Sequence, residues 1–207
     1  MEKNKDKLLY ANWDRFWGTG GKESVTFLGR IMTEQRMRVM RETIQNLDIK
    51  TAIDLGCGFG HTLKLFHEFG LDYKGIDVSP NAIAVCKKKG LRAELSKLEN
   101  QTDKFDLVAS EGMLEHFLNF ESYAKHFMRL SRRYVLLLQP NHASFWGRTL
   151  YYLATLIRGH INIFEYNYRP EDFIYVFDSN GFKAVKNRPI FFDMYRLLLF
   201  EKTEDMN

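Results

Sequence analysis

The stretch Thr51-Ala52-Ile53-Asp54-Leu55-Gly56-Cys57-Gly58-Phe59-Gly60-His61-Thr62 leaves this chain few ways to fold. A short apolar run with the character of a buried parallel strand closes on Asp54, a glycine-rich turn follows, and His61 to Phe69 reads as an amphipathic helix. Glycine lets a backbone approach a ligand where a β-carbon would collide, and the start of the next helix presents unpaired N–H groups. A strand, loop and helix of this form is a unit for holding nucleotides. A glycine loop alone is a weak signal, so its surroundings decide. A second strand-like run, Tyr73-Lys74-Gly75-Ile76-Asp77, ends on a carboxylate about 20 residues past the glycines, where a ribose is held in nucleotide-binding βαβ units.

The rest of the chain extends the unit. Ser79 and Pro80 stand at the N-cap and first turn of a helix through Ala82, Ile83, Val85 and Cys86, and Gly90 stops it. Leu91 to Leu95 forms a third strand with Glu94 near its end, and Phe105 to Ser110 a fourth. Three crossovers in a row predict a parallel sheet with helices on both faces. Phe120 to Leu130 reads as a helix, and Tyr134 to Leu138 as a fifth strand running into Gln139-Pro140-Asn141-His142. Arg169-Pro170-Glu171-Asp172 opens a last helix that Gly181 stops, and Phe182 to Lys186 and Met194 to Phe200 are two final strands that pair antiparallel.

Two segments fall outside this pattern. Leu8 to Gly21 is aromatic and irregular, with Tyr10, Trp13, Phe16 and Trp17, and Ser24 to Leu47 is helical with Met37, Met40, Ile44 and Leu47 on one face. Residues 1–47 are expected as a helical cover, packed on the core or lying as a lid over the ligand. Residues 143–168, with Phe145, Trp146, Tyr151, Tyr152, Phe164, Tyr166 and Tyr168, read as a helical and aromatic insertion. It either shapes an apolar pocket or packs on the surface, and offers a peripheral membrane contact over 145–168.

With 207 residues, 45% of them hydrophobic, one domain over the whole chain is expected. The net charge of +4 comes from scattered Lys and Arg, which does not indicate nucleic acid. The amino end lacks the apolar core of a signal peptide, and the most lipid-like run, Thr149 to Ile157, is far short of the ~20 residues that span a bilayer. Cys57 sits in the glycine loop and Cys86 in a helix expected to pack elsewhere, so neither disulfide nor metal is expected and the cytoplasm is the simplest setting.

Four motifs in order, Ile53 to Gly60, Gly75 to Pro80, Phe105 to Val108 and Ser110-Glu111-Gly112-Met113-Leu114-Glu115-His116, resemble the class I S-adenosylmethionine-dependent methyltransferases. The likeness is nearest the small-molecule branch of ubiquinone-type O-methyltransferases, and it covers Thr51 to about Pro140. It implies a Rossmann-like three-layer α/β sandwich, with a mostly parallel seven-stranded sheet and an antiparallel last strand. It implies S-adenosylmethionine as cofactor and S-adenosylhomocysteine as product. By resemblance Asp54, Leu55, Gly56, Cys57, Gly58 and Gly60 would lie against the methionine part, with Asp54 facing its amino group. Asp77 would take the ribose hydroxyls, Val78 would pack on adenine, and Glu94 with Leu95 would border the base. The family usually has Asp where Glu94 stands. Ser110 and Glu111 would border the sulfonium, and Arg36 is a candidate for the methionine carboxylate.

A nicotinamide-dependent dehydrogenase shares the loop and the acidic second strand end. Its fingerprint wants Gly-x-Gly-x-x-Gly, and counting from Gly56 the last place is His61. Methyl transfer from a sulfonium needs alignment more than a nucleophile. For a hydroxyl acceptor, Glu111, His116 or His142 could act as base, while a structural role competes for His116. Ser110-Glu111-Gly112-Met113 stands where base-modifying enzymes of this fold carry an Asn or Asp-Pro-Pro-aromatic motif, which disfavours base methylation. The expected function is methyl transfer to O or N of a small, partly apolar acceptor. The alternatives are a non-catalytic donor-binding member, or a protein or rRNA methyltransferase.

Overall fold

Seven strands pair into one sheet in the computed structural model, which describes residues 2–18, 27–149 and 165–203. They are β1 (Thr51–Leu55), β2 (Asp72–Asp77), β3 (Ala93–Leu95), β4 (Phe105–Glu111), β5 (Ser131–Pro140), β6 (Phe182–Ile190) and β7 (Tyr195–Lys202), in the order β3-β2-β1-β4-β5-β7-β6. The first five strands run parallel, and β7 lies antiparallel between β5 and β6. This is the expected α/β architecture. The strand order reverses between β1 and β4, which places the usual ligand crevice of an open α/β sheet beyond their carboxyl ends.

Because side chains alternate along a strand, each buried strand feeds two cores. Ala52, Leu107, Ala109, Leu136, Leu138, Leu197 and Leu199 face α2 (Phe27–Ile44), α3 (His61–Glu68) and α4 (Pro80–Lys88), where Val39, Met40, Leu63, Phe66 and Ile83 meet them. Ile53, Leu55, Val108, Val135, Leu137, Leu198 and Phe200 face α5 (Phe120–Leu130) and α6 (Pro170–Asp178), against Phe120, Phe127, Phe173 and Phe177. Phe177 stacks on Phe200 at 4.3 Å. At the amino ends, the Asp106 carboxylate accepts from the Lys50 and Thr51 amides, both at 2.9 Å, which locks β4 to β1 and fixes the register of the opposite, ligand-facing ends.

Several elements differ from expectation, the last strand among them, which runs to Lys202. Leu8 to Gly21 was expected to be irregular, yet α1 (Glu2–Gly18) is a continuous helix. β3 begins at Ala93, not Leu91, because the Leu91 amide still donates to the Cys86 carbonyl at 3.0 Å and closes α4. β5 begins at Ser131, three residues earlier than its apolar run, because Arg132 and Arg133 are carried by charge pairs to Asp106 and Glu201 on the neighbouring strands. β6 continues past Lys186 to Ile190. Of the expected insertion, residues 145–149 are helical and residues 165–168 return to the body, with Tyr166 N donating to Glu115 O at 2.8 Å. Residues 150–164 lie outside the described residues, as do Thr19 to Thr26.

Candidate active site

The glycine loop takes its shape from β2. The amides of Gly56 and Cys57 both donate to the Ile76 carbonyl at 2.9 Å, and Gly58 N donates to Asp77 Oδ2 at 2.9 Å. Ser79 N donates to the other Asp77 oxygen, also at 2.9 Å, so this carboxylate joins the loop to the start of α4. Gly58 has φ 47°, and a β-carbon there would lie 2.7 Å from the Trp17 ring. Glycine is required at that position by backbone conformation and by packing alike.

Trp17 belongs to α1, which lies across the loop. Its ring also packs on Phe59 at 4.6 Å, and Asp14 of the same helix accepts from Ser79 Oγ at 2.7 Å and from Asn81 N at 3.1 Å. Trp13 meets the His116 ring edge-on at 4.7 Å. The N-terminal aromatics therefore sit on the loop and beside the turn after β4.

Three carboxylates gather at the carboxyl ends of β1, β2 and β4. Asp54 is fully buried, and its Oδ1 carries no hydrogen bond within the protein. Its pKa is driven well above the carboxylate range, first by burial and then by the charge of Glu111, with Cys86 and Asp77 adding to the effect. Burial also raises Asp77, against the pull of the Ser79, Gly58 and Val78 amides. Glu111 accepts from Arg36 Nε at 2.7 Å, and the Arg36 guanidinium lies over the Tyr195 ring at 4.6 Å. Arg36 is thus a buried cation within this acidic bowl.

A sequence profile for the methyltransferase domain matches residues 30–187. The chain belongs to the methyltransferase-domain family. Comparison with curated proteins gives no match. Among solved structures, magnesium protoporphyrin IX methyltransferase from Synechocystis PCC 6803 with bound S-adenosylhomocysteine superposes with a TM-score of 0.74 at 18% identity, over 92% of this chain and 97% of that one. The 1,6-didemethyltoxoflavin-N1-methyltransferase of Burkholderia thailandensis, also with S-adenosylhomocysteine, gives 0.74 at 13% identity over 99% and 91%. A methyltransferase from Archaeoglobus fulgidus dependent on S-adenosylmethionine gives 0.64 at 15% over 86% and 100%. At these identities the likeness is one of fold, and the named acceptors differ.

Within this methyltransferase, the structure brings Asp54, Leu55, Gly56, Cys57, Gly58, Gly60 and Asp77 to one crevice, with Val78 beside them and Glu111 next to Asp54. Leu95 stands opposite Asp77 in register and is 58% exposed at the crevice edge. The other expected site residues have their own partners. Ser110 is buried and its hydroxyl donates to the Leu55 carbonyl at 2.7 Å, tying β4 to β1. Glu94 pairs in register with Ile76 and lines a cleft of about 700 Å³ with Asp72, Lys74, Arg92, Phe105 and Arg132. The three expected bases engage different neighbours. Glu111 faces Arg36, His116 packs under Trp13 with the Glu115 carboxylate 3.7 Å away, and His142 lies 2.8 Å from Glu165.

Sequence reasoning placed Cys86 away from the loop, and the structure corrects it. Cys86 Sγ donates to the Gly58 carbonyl at 3.2 Å, and a hydrogen bond between the two thiols pushes Cys57 up and Cys86 down. Glu165, Asp14 and Gln139 carried no signal in the sequence, since each acquires its surroundings only through long-range contacts. Among the described residues no group of three or more His, Cys, Asp or Glu could hold a metal ion, and no helix is long and apolar enough to cross a membrane.

Proposed function

We propose that this methyltransferase transfers a methyl group from S-adenosylmethionine to an oxygen or nitrogen of a small, partly apolar acceptor. The observation that carries the reading is the unpartnered Oδ1 of Asp54, fully buried at the root of the glycine loop. A buried carboxylate oxygen without a donor is costly unless a ligand supplies one. The ammonium of an amino-acid ligand is such a donor, and the Arg36 guanidinium suits its carboxylate.

The donor would be held by Asp54 at its ammonium, by Arg36 at its carboxylate, by Asp77 at the ribose hydroxyls, and by Val78 and Leu95 at the base. When bound, it supplies an electrophilic methyl on a sulfonium, displaced in line to leave S-adenosylhomocysteine. The protein's task is then alignment, which can contribute on the order of 7–11 kcal/mol. Trp13, Phe16 and Trp17 exclude water from above the loop. His142, which lies against Glu165, would take the proton of a hydroxyl acceptor, and an amine acceptor with a free lone pair needs no base.

Titration calorimetry with S-adenosylmethionine and S-adenosylhomocysteine tests the reading. Saturable binding of both near one per chain is expected, and binding of neither would overturn it.

A further inference from the structure

Strand β5 is buried from Tyr134 through Gln139. Val135 and Leu137 belong to the core under α5 and α6, so alternation turns Gln139 to the same face, one step beyond the last apolar residue. Gln139 is 1% exposed, and neither its Oε1 nor its Nε2 has a hydrogen-bond partner within the protein. An unsatisfied buried amide is rare and calls for a physical reason. Its cross-strand neighbour Arg196 does not supply one, because that guanidinium is committed to Asp193 and to Asn187 Oδ1.

The position is informative. Gly112 follows the last β4 pairing with β5, and its amide donates to the Leu138 carbonyl at 2.9 Å. A β-carbon on Gly112 would lie 3.1 Å from Glu115 Oε1. Gln139 therefore stands at the carboxyl ends of β4 and β5, beside the Leu114–His116 turn and just before Asn141 and His142, all of them buried. This is the acceptor side of the crevice if the donor lies over β1 and β2.

We infer that Gln139 is the acceptor-recognition residue, its side-chain amide pairing with the donor and acceptor edge of a neutral lactam, carboxamide or imide. The inference rests on the methyltransferase reading above. A primary amide presents one acceptor and one donor in a plane, which a cis-amide edge matches with two parallel hydrogen bonds. A carboxylate ligand could use only the N–H side, and the Glu115 and Glu165 carboxylates nearby oppose an anion. A site built this way discriminates strongly, because a ligand without that edge leaves Gln139 unpaired again.

The test uses the full chain saturated with S-adenosylhomocysteine, with 2-pyridone and uracil as probes in ligand-observed NMR titrations and benzoate as control. Gln139→Leu is expected to weaken lactam binding at least tenfold while S-adenosylhomocysteine affinity stays within twofold. Removing an unpaired buried amide is also expected to raise the ligand-free Tm by about 3 °C or more. Gln139→Met serves the same purpose should the leucine variant fold poorly. A fall in Tm would mean that water or a neighbour satisfies the amide, and would overturn the inference. So would equal probe binding by wild type and variant, or no saturable binding of either lactam to the wild type. Failure of S-adenosylhomocysteine to bind the wild type would instead sink the methyltransferase reading itself.

Discussion

Replacing Asp54 by Asn isolates the charge that the ligand-binding reading depends on. The two side chains are nearly isosteric, so the substitution leaves the loop in place and removes one negative charge at a fully buried position. A hydrogen bond to a charged group contributes about 1.5–3 kcal/mol, which at 1.4 kcal/mol per decade is a loss of roughly 10- to 150-fold in S-adenosylhomocysteine affinity. Adenosine, which lacks the ammonium, should bind both proteins within about threefold. The pH dependence has a definite sign. Burial and Glu111 raise Asp54 above its ordinary 3.8, so the ligand-free protein holds a proton that an incoming ammonium must expel. Affinity of the wild type should therefore increase with pH, by up to about tenfold per unit, until the raised value is passed, and calorimetry in buffers of different ionisation enthalpy should register the released proton. Stability runs the other way. The contribution of Asp54 to the ligand-free fold is complete below about 3.8 and is lost as pH rises through the raised value, so Asp54→Asn should gain in Tm over the wild type across that window. Equal affinity in the two proteins, or a wild-type affinity indifferent to pH, would refute the assignment.

Asp77→Ala removes the acceptor for the Gly58 and Ser79 amides together with the proposed ribose contact, and should weaken S-adenosylhomocysteine and adenosine alike by more than about 100-fold in calorimetry, unlike the ligand-selective effect at Asp54. Trp17→Ala strips the ring that covers Gly58 and Phe59, and should speed S-adenosylhomocysteine dissociation about tenfold in stopped-flow fluorescence; an unchanged or slower rate would exclude α1 as a cover of the bound ligand. Phe177→Ala empties a fully buried site stacked on Phe200 and should cost about 3–5 kcal/mol in chemical denaturation, with cofactor affinity in the folded protein unchanged.

What could be read from the chain is what local patterns determine. The strand end at Asp77, the cap at Ser79 and Pro80, and the helix Phe120–Leu130 follow from periodicity and turn residues, and the alternation of strands and helices is enough to make the sheet parallel. The misses share a cause, which is pairing between distant residues. Arg132 and Arg133 mask the start of β5 because the charges they answer are on β4 and β7. Cys86 faces the glycine loop because α4 packs where Gly60 leaves room, a β-carbon there falling 2.9 Å from its sulfur. Glu94 was expected at the base by position, and it lines the cleft with Lys74 and Arg92, a neighbourhood no local pattern shows. The aromatic segment before Gly18 shows little regular pattern, yet forms a helix held by Asp14 on α4 and by ring contacts on the loop.

The charge arrangement separates the two ligands a glycine loop of this kind could take. A dinucleotide sets a doubly negative pyrophosphate against the loop, so the loop should offer only amides there. Here the amides come with a fully buried carboxylate at the root of the loop, a second acid in Glu111, and one cation, Arg36, held by that acid. An anion brought to this bowl would keep the proton on Asp54 and gain no partner from it, with the Arg36 guanidinium already held by Glu111. On the proposed reading a zwitterion reverses the sign at that place, its ammonium drawing the proton off Asp54 and its carboxylate turned toward Arg36. On that reading, the unpartnered oxygen that destabilises the empty fold is the atom that would favour an amino-acid-bearing nucleoside over a nucleotide.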